Sequence, residues 1–305
     1  MKTAARVQVP ATGANLGPGF DALGLALNLF NEAEFTLRGD ARVIVHIEGE
    51  GAGRLPSDAG NAVAQAALRV FARAGQPSPG LEIACHNRIP LGSGMGSSAA
   101  AVLTGLLGAN TLLERPFDEA QILQMAVEAE GHPDNVAPAL LGGLVVSIST
   151  AGQVVARKLP PYPDRAPIFA TVVLPNVDFP TRQARAVLPH QVAHEDAVFN
   201  LGRAVLVCEA LRSGDMGLLS AAMEDRLHQP YRLPLIPGAQ AAQAAAKKAG
   251  AAAVALSGAG PSLIAFLARN DPAIGQAMQR AFEAESVSAR VFDLQPSDAG
   301  AQVST

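Results

Sequence analysis

The chain has 305 residues, 49% of them hydrophobic and 16% charged, with a formal net charge of −4. That length supports one large or two ordinary domains with a substantial core. The charge and the lack of any Lys/Arg run exclude a nucleic-acid surface, and no apolar stretch is long and unbroken enough to span a bilayer.

The first seven residues, Met1 to Val7, contain no apolar signal region. Cys85 and Cys208 each sit among apolar neighbours, as expected for reduced thiols in a cytoplasmic protein. Residues 7–9 read as a short strand stopped by Pro10, and residues 11–21 as a loop rich in Gly, Asn and Pro. Residues 23–29 and 34–37 read as two strands of one sheet, followed by the alternating segment 43–47. The spacing of Val63, Ala67, Val70 and Phe71 predicts a helix over 61–74, ended by Gly75. Leu81, Ile83 and Cys85 alternate as a strand. Helices follow at 97–114 and 118–130, the second with Asp118 as N-cap, and a strand at 143–148. The Gly and Pro punctuation of 150–167 marks a linker. Beyond it lie a strand at 168–174 and helices near 182–188, 191–213, 215–226 and 238–249. A strand pair at 252–256 and 262–267, a helix near 272–285 and a strand at 289–292 precede a polar tail. The whole reads as α+β.

The segment Pro90-Leu91-Gly92-Ser93-Gly94-Met95-Gly96-Ser97-Ser98-Ala99-Ala100-Ala101 carries most of the chemistry. Its three glycines let backbone N–H groups close on a phosphate where a Cβ would obstruct. The following helix start adds free N–H groups and a partial positive charge. A ligand-free strand-to-helix turn has a similar pattern, but the serine pair and the preceding strand favour a nucleotide phosphate loop. It is not a Walker A loop, since no Lys follows the last glycine. Mg²⁺ takes few protein ligands and prefers carboxylate and hydroxyl oxygen, which Ser98 and Glu130 offer. Asn15 and Asp21 are the strong side-chain acceptors of the loop at 11–21. Arginines beside apolar and proline residues, among them Arg182, Arg185 and Arg232, differ from a solvated charge run. An α-amino acid needs an anion for its ammonium and a guanidinium fork for its carboxylate, and one Asp with two Arg would serve. The six histidines show no metal-ligand spacing.

Taken together these motifs resemble the GHMP kinase superfamily, and within it the homoserine kinases. The phosphate loop is similar to the Pro-x-Gly-x-Gly-Leu-Gly-Ser-Ser signature, with Met95 at the Leu position. The subfamily resemblance rests on Ala14 to Gly24, on Glu130 to Ala139 with Gly142 and Gly143, and on Leu256 to Ser262. It implies a two-domain α+β fold: an ATP-binding N-terminal domain (1–158) like the second domain of ribosomal protein S5, and a ferredoxin-like C-terminal domain (159–305). It also implies ATP with its phosphates on 90–101 and its adenine near Asn61 and Val63, and Mg²⁺ on Ser98 and Glu130. The L-homoserine pocket would comprise Asn15, Asp21, His132, Asn135, Arg185 and Arg232, with His132, Asn135 and Arg185 at the reacting groups. A cytoplasmic homodimer is expected. Relatives carry an aspartate, proposed as a base, at the position of Asn135. An amide cannot take a proton, so here the hydroxyl is positioned rather than deprotonated by that side chain. Asp134, as the adjacent residue, is expected to point elsewhere.

Overall fold

A computed structural model describes residues 2–305. Strand β1 (Ala4–Ala14) pairs antiparallel with β2 (Leu23–Arg38) along almost its whole length. Pro10 does not stop β1. The register shifts between Pro10 and Ala11, and a bulge tolerates a residue without an N–H. Up to Val9 the burial alternates; from there to Ala14 every residue is buried. The two strands expected at 23–37 are likewise one. β3 (Val43–Gly49) runs parallel to β4 (Gly80–Asn87), which pairs with β2. As the alternation predicts, Leu81, Ile83 and Cys85 of β4 are buried, and burial pushes the Cys85 thiol up to about 11.

Four helices cover this sheet. Helix α1 (Ala62–Arg73) is capped by Asn61, whose Oδ1 accepts the Val63 N–H at 2.9 Å. Helix α2 (Ser97–Leu112) is apolar on nearly every side and accordingly buried. Helix α3 (Glu119–Glu130) opens with a capping box formed by Asp118 and Gln121 and ends on left-handed Gly131. Helix α4 (Pro133–Leu141) is not evident in the sequence because it carries two prolines. Pro133 lies in the first turn, where no N–H is needed. Pro138 leaves the Asp134 carbonyl without its helical donor, and β2 packs against that point: a Cβ on Gly24 would lie 2.0 Å from the Asp134 carbonyl oxygen.

The segment expected to be a linker is in its first part a hairpin. β5 (Leu144–Thr150) turns through Ala151 and Gly152, both at positive φ, into β6 (Gln153–Leu159). β6 is half exposed and lacks an apolar run, so only the Pro-rich stretch after Leu159 is a connection. The second sheet contains β7 (Phe169–Pro175), β8 (Ala253–Leu256), β9 (Leu263–Leu267) and β10 (Ala289–Leu294), all antiparallel in the order β10-β7-β9-β8. With α9 (Ala239–Lys248) before β8 and α10 (Pro272–Ala284) after β9, this is a ferredoxin-like unit. Between β7 and α9 lie α5 (Thr181–Ala186), α6 (His194–Ser213), α7 (Met216–Ala222) and the short α8 (Gln229–Arg232). α7 stops short of the predicted residue 226. There the Asp225 carboxylate takes the N–H groups of Leu227, His228 and Gln229 at 2.6–3.0 Å, a side chain competing with the helix. The expected polar tail instead crosses back to the first sheet, where β11 (Gln302–Ser304) pairs with Arg6–Gln8 of β1. The order of that sheet is β11-β1-β2-β4-β3, with β5 and β6 continuing from β2.

Gly24→Ala forces β2 and the start of α4 apart, and a Cβ overpacked in this way costs about 1–3 kcal/mol. A urea titration is expected to show a lower midpoint at unchanged slope; a midpoint equal to the parent's refutes the close packing.

Candidate active site

Between the two sheets lies a cavity of about 340 Å³ whose two ends differ in chemistry. One end is the phosphate loop. Gly92, Gly94 and Gly96 all have positive φ, and the last two also have no room for a side chain. A Cβ on Gly94 would meet the Ser257 carbonyl at 2.2 Å; one on Gly96 would meet the Thr12 hydroxyl at 2.0 Å. Gly96 is the N-cap of α2 and supplies no side-chain cap, so the helix start faces the cavity with its N–H groups and positive dipole end. Ser93, Ser97, Ser98 and Ala99 also line it. Met95 and Ala100 are core residues instead, and Pro90, Leu91 and Ala101 lie off the central cavity. Asn61 and Val63 are outside it too, and both polar ends of the Asn61 side chain are engaged, by Val63 N–H and the Pro56 carbonyl.

Ser98 and Glu130, 32 positions apart, meet: the Ser98 hydroxyl donates to the Glu130 carboxylate at 2.7 Å. Glu130 is the last residue of α3, where the negative end of the helix dipole disfavours a carboxylate. Two hard oxygen donors beside a phosphate loop fit a Mg²⁺ ion.

The other end of the cavity is built around arginines. Arg185 of α5 and Asp21 form a bidentate pair at 2.9 and 3.0 Å, while Arg182 is exposed and outside the cavity. Arg232 is 1% exposed, and among the described residues no carboxylate forms an ion pair with it. Its Nε donates to the Ala184 carbonyl at 2.9 Å and one terminal nitrogen to His228 Nδ1 at 3.3 Å, with the guanidinium 5.1 Å from the Phe20 ring centroid. Burial, with Arg185 nearby, pushes Arg232 down to about 10. His228 stacks on Phe20 and its Nε2 contacts the Gly17 carbonyl at 2.8 Å. That nitrogen therefore carries the proton and Nδ1 accepts from Arg232. Asn15 is committed inside the protein: Oδ1 accepts the Asp21 N–H at 2.9 Å and Nδ2 donates to the Gly258 carbonyl at 2.7 Å.

At the centre stands the start of α4. Asn135 lines the cavity and its Oδ1 accepts from the Thr12 hydroxyl at 2.8 Å. Asp134 does not point elsewhere, as expected from its adjacency to Asn135. Both residues lie in the first helical turn, the end of which faces the cavity, so Asp134 lines it as well. Asp134 is 2% exposed and meets His132 Nδ1 at 2.7 Å. That hydrogen bond raises the His132 pKa above its usual 6.5, against its partial burial. Thr12, Phe20, His228, Asp178, Thr181 and the turn at 258–260 complete the surroundings. Phe20 and the turn lie in segments that carry the resemblance. The sequence assigned no role to them or to Thr12, Asp178, Thr181 and His228, since a lone Thr or Phe in a strand or loop carries no local signal of what it holds.

The family model described as the GHMP kinases N-terminal domain matches residues 61–143, and that for the GHMP kinases C-terminal matches residues 208–285. A homoserine kinase of Moorella thermoacetica is 46% identical over 97% of this chain and 99% of its own length. One from Picosynechococcus sp. is 42% identical over 94% of this chain and 95% of its own. Among solved structures, homoserine kinase from Cytophaga hutchinsonii superposes with a TM-score of 0.87 at 35% identity, covering 100% of this chain and 98% of that one.

The His132–Asp134 bond gives folding a pH dependence with a definite sign. A raised folded-state pKa contributes stability that is complete below the unfolded value near 6.5 and is lost as pH rises through the folded value. Asp134→Asn is expected to lower the His132 midpoint in an NMR titration and to flatten the decline of stability above pH 6.5. A His132 midpoint unmoved by that substitution overturns the assignment.

Proposed function

The chain belongs to the homoserine kinases of the GHMP kinase family, and from that premise we propose how its residues transfer the γ-phosphoryl group of ATP to the hydroxyl of L-homoserine. The product, O-phospho-L-homoserine, is the precursor of threonine. The observation that carries the reading is Arg232: a buried guanidinium lacking a carboxylate partner, in the same cavity as a helix start suited to phosphates. Buried charges are stable when paired, and the substrate carboxylate is the missing anion. Arg185 and Asp21 are paired with each other in this structure. A zwitterion satisfies both when its carboxylate enters the Arg185–Arg232 fork and its ammonium takes Asp21. Asn15 supports this pocket by fixing the Asp21 loop.

The triphosphate lies on the loop at 90–98 and the α2 N-terminus, with the adenine toward Asn61 and Val63. Ser98 and Glu130 are the residues that would hold Mg²⁺, which when bound neutralises charge on the phosphates. The substrate hydroxyl then sits by Asn135 and His132. Its oxygen bonds to the γ-phosphorus as the bond to the β-phosphate oxygen breaks, and its proton passes to a phosphoryl oxygen. A loose transition state of this kind needs no strong base. Asp134, hydrogen-bonded to His132 Nδ1 at 2.7 Å, orients that imidazole and favours its charged form.

We further propose a cytoplasmic homodimer. Val198, Leu201 and Val205 are 56%, 70% and 64% exposed along one stripe of α6, whose first turn carries Glu195 and Asp196 and whose last carries Arg212. Two copies packed along α6 would bury the stripe, while Asp196 and Arg212 are already engaged within the chain, by Arg226 and by the Pro160 carbonyl. A light-scattering mass near 31.3 kDa, the mass of one chain, counts against it.

A coupled assay of ADP release with L-homoserine, mevalonate, shikimate and a neutral sugar tests the reading. Turnover is expected with homoserine, and equal turnover with the neutral sugar sinks it. Arg232→Lys keeps the charge but loses the fork. Charge-assisted hydrogen bonds are worth about 1.5–3 kcal/mol, so kcat/KM for homoserine falls roughly ten- to a hundredfold with little change in the KM for ATP; equal losses for both ligands indicate a different role. Asp134→Asn is expected to lower the single-turnover rate less than about tenfold, whereas a true base contributes ~10²–10⁴. A thousandfold loss with unchanged homoserine affinity makes Asp134 the base.

A further inference from the structure

The geometry points to Thr12 as a positioning residue for the transfer step: its hydroxyl locks the Asn135 amide so that an N–H, and not the amide oxygen, faces the attacking hydroxyl. This rests on the reading of Asn135 given above and deepens it. Thr12 lies in the fully buried stretch of β1, paired with Ala26 of β2, and is itself 0% exposed. Its backbone N–H donates to the Met95 carbonyl at 3.0 Å, and its Oγ1 occupies the space that a side chain on Gly96 would need. The same Oγ1 donates to Asn135 Oδ1 at 2.8 Å. One side chain thus touches both the cap of α2, where the phosphates bind, and the start of α4, where the acceptor hydroxyl sits.

Three properties make the contact directional. A β-branched side chain has few χ1 choices, so the hydroxyl of a strand-bound threonine points one way. The hydroxyl hydrogen goes to Oδ1 in this structure, which leaves both N–H donors of the asparagine unspent. An asparagine without such a partner turns its amide over at little cost, exchanging oxygen for nitrogen. With Oδ1 held by Thr12, Asn135 presents N–H groups to the cavity. The attacking oxygen accepts from the amide through one lone pair and uses another for phosphorus. Its own hydrogen then points away from Asn135, toward the phosphoryl oxygens that receive it. In the flipped amide the oxygen would instead hold that hydrogen and turn the attacking lone pair away.

The test is a double-substitution cycle on the full chain, reading kcat and both KM values. Thr12→Val preserves shape and removes the donor, leaving Asn135 Oδ1 without its partner. We expect kcat to fall roughly ten- to a hundredfold, with the KM values for ATP and homoserine within about threefold of the parent. Thr12→Ser restores the hydroxyl and is expected within about threefold of the parent kcat. With Asn135→Ala already present, Thr12→Val is expected to cost less than about threefold more, because the group it orients is gone. The proposal is overturned if the two losses multiply, if Thr12→Ser is as slow as Thr12→Val, or if Thr12→Val raises the KM for ATP at unchanged kcat. That last pattern belongs to a prop for the phosphate loop. Where Thr12→Val does not fold, Thr12→Ala takes its place in the cycle with the same criteria. An Asn135→Ala variant with the parent kcat would remove Asn135 from the reaction and so fail the underlying reading. Multiplying losses with Asn135→Ala impaired fail only the role of Thr12.

Discussion

The active site depends on a contact between backbones. The turn at 257–260, from the second sheet, is pressed against two loops of the first. The Ser257 hydroxyl donates to the Gly94 carbonyl at 2.8 Å, and the Gly258 N–H donates to the Ala14 carbonyl at 3.0 Å. Asn15 returns a bond to the Gly258 carbonyl. These contacts require main chains to approach more closely than any Cβ permits at Gly94. They set the distance between the glycine loop at 92–96 and the Asn15–Asp21 loop, and therefore, on the proposed assignment, the distance between donor and acceptor of the phosphoryl group. Since effective positioning supplies most of what a phosphotransferase needs, the glycines act through geometry across the domain boundary as much as through phosphate contact.

The acceptor end is preorganised around charge in the same spirit. Arg232 is kept in a water-poor setting by a ring stack and a neutral histidine, not by a carboxylate, and so its attraction for an incoming anion is not already consumed. Asp225, the acid closest to it in sequence, is fully engaged by backbone N–H groups and by Asn200. An acid left free there would compete with the carboxylate proposed to bind Arg232. Arg185, by contrast, is paired with Asp21 in a half-exposed position, where exchange of one partner for another is cheap.

The elements that define the fold class were legible in sequence for different reasons: α1 and β4 by their apolar spacing, α3 by its Asp118 cap, and α2 by the glycine loop before it and its long apolar run. Where local signals misled, the tertiary context decided. Pro10 is accommodated by a bulge; Pro133 and Pro138 sit where a helix start and a carbonyl against Gly24 tolerate them; β6 and β11 are too polar to show a core-facing pattern. At the site, Ser98, Glu130, Arg185 and Asn135 could be picked out from motif and residue type. Thr12, Phe20 and His228 act by holding another residue, and such roles are visible only when distant segments are brought together.

The return of the chain to β1 has a consequence for biosynthesis. β11 follows the whole of the second sheet, so during translation the flank of β1 at Arg6–Gln8 stays without its neighbour while the ferredoxin-like unit is made. An unpaired strand edge invites pairing with other chains. The nascent first sheet is therefore most vulnerable to misassembly in that interval, when ribosome-bound neighbours are close. The late strand acts as a closing clip, and a chain cut short before it would leave that flank of β1 unpaired.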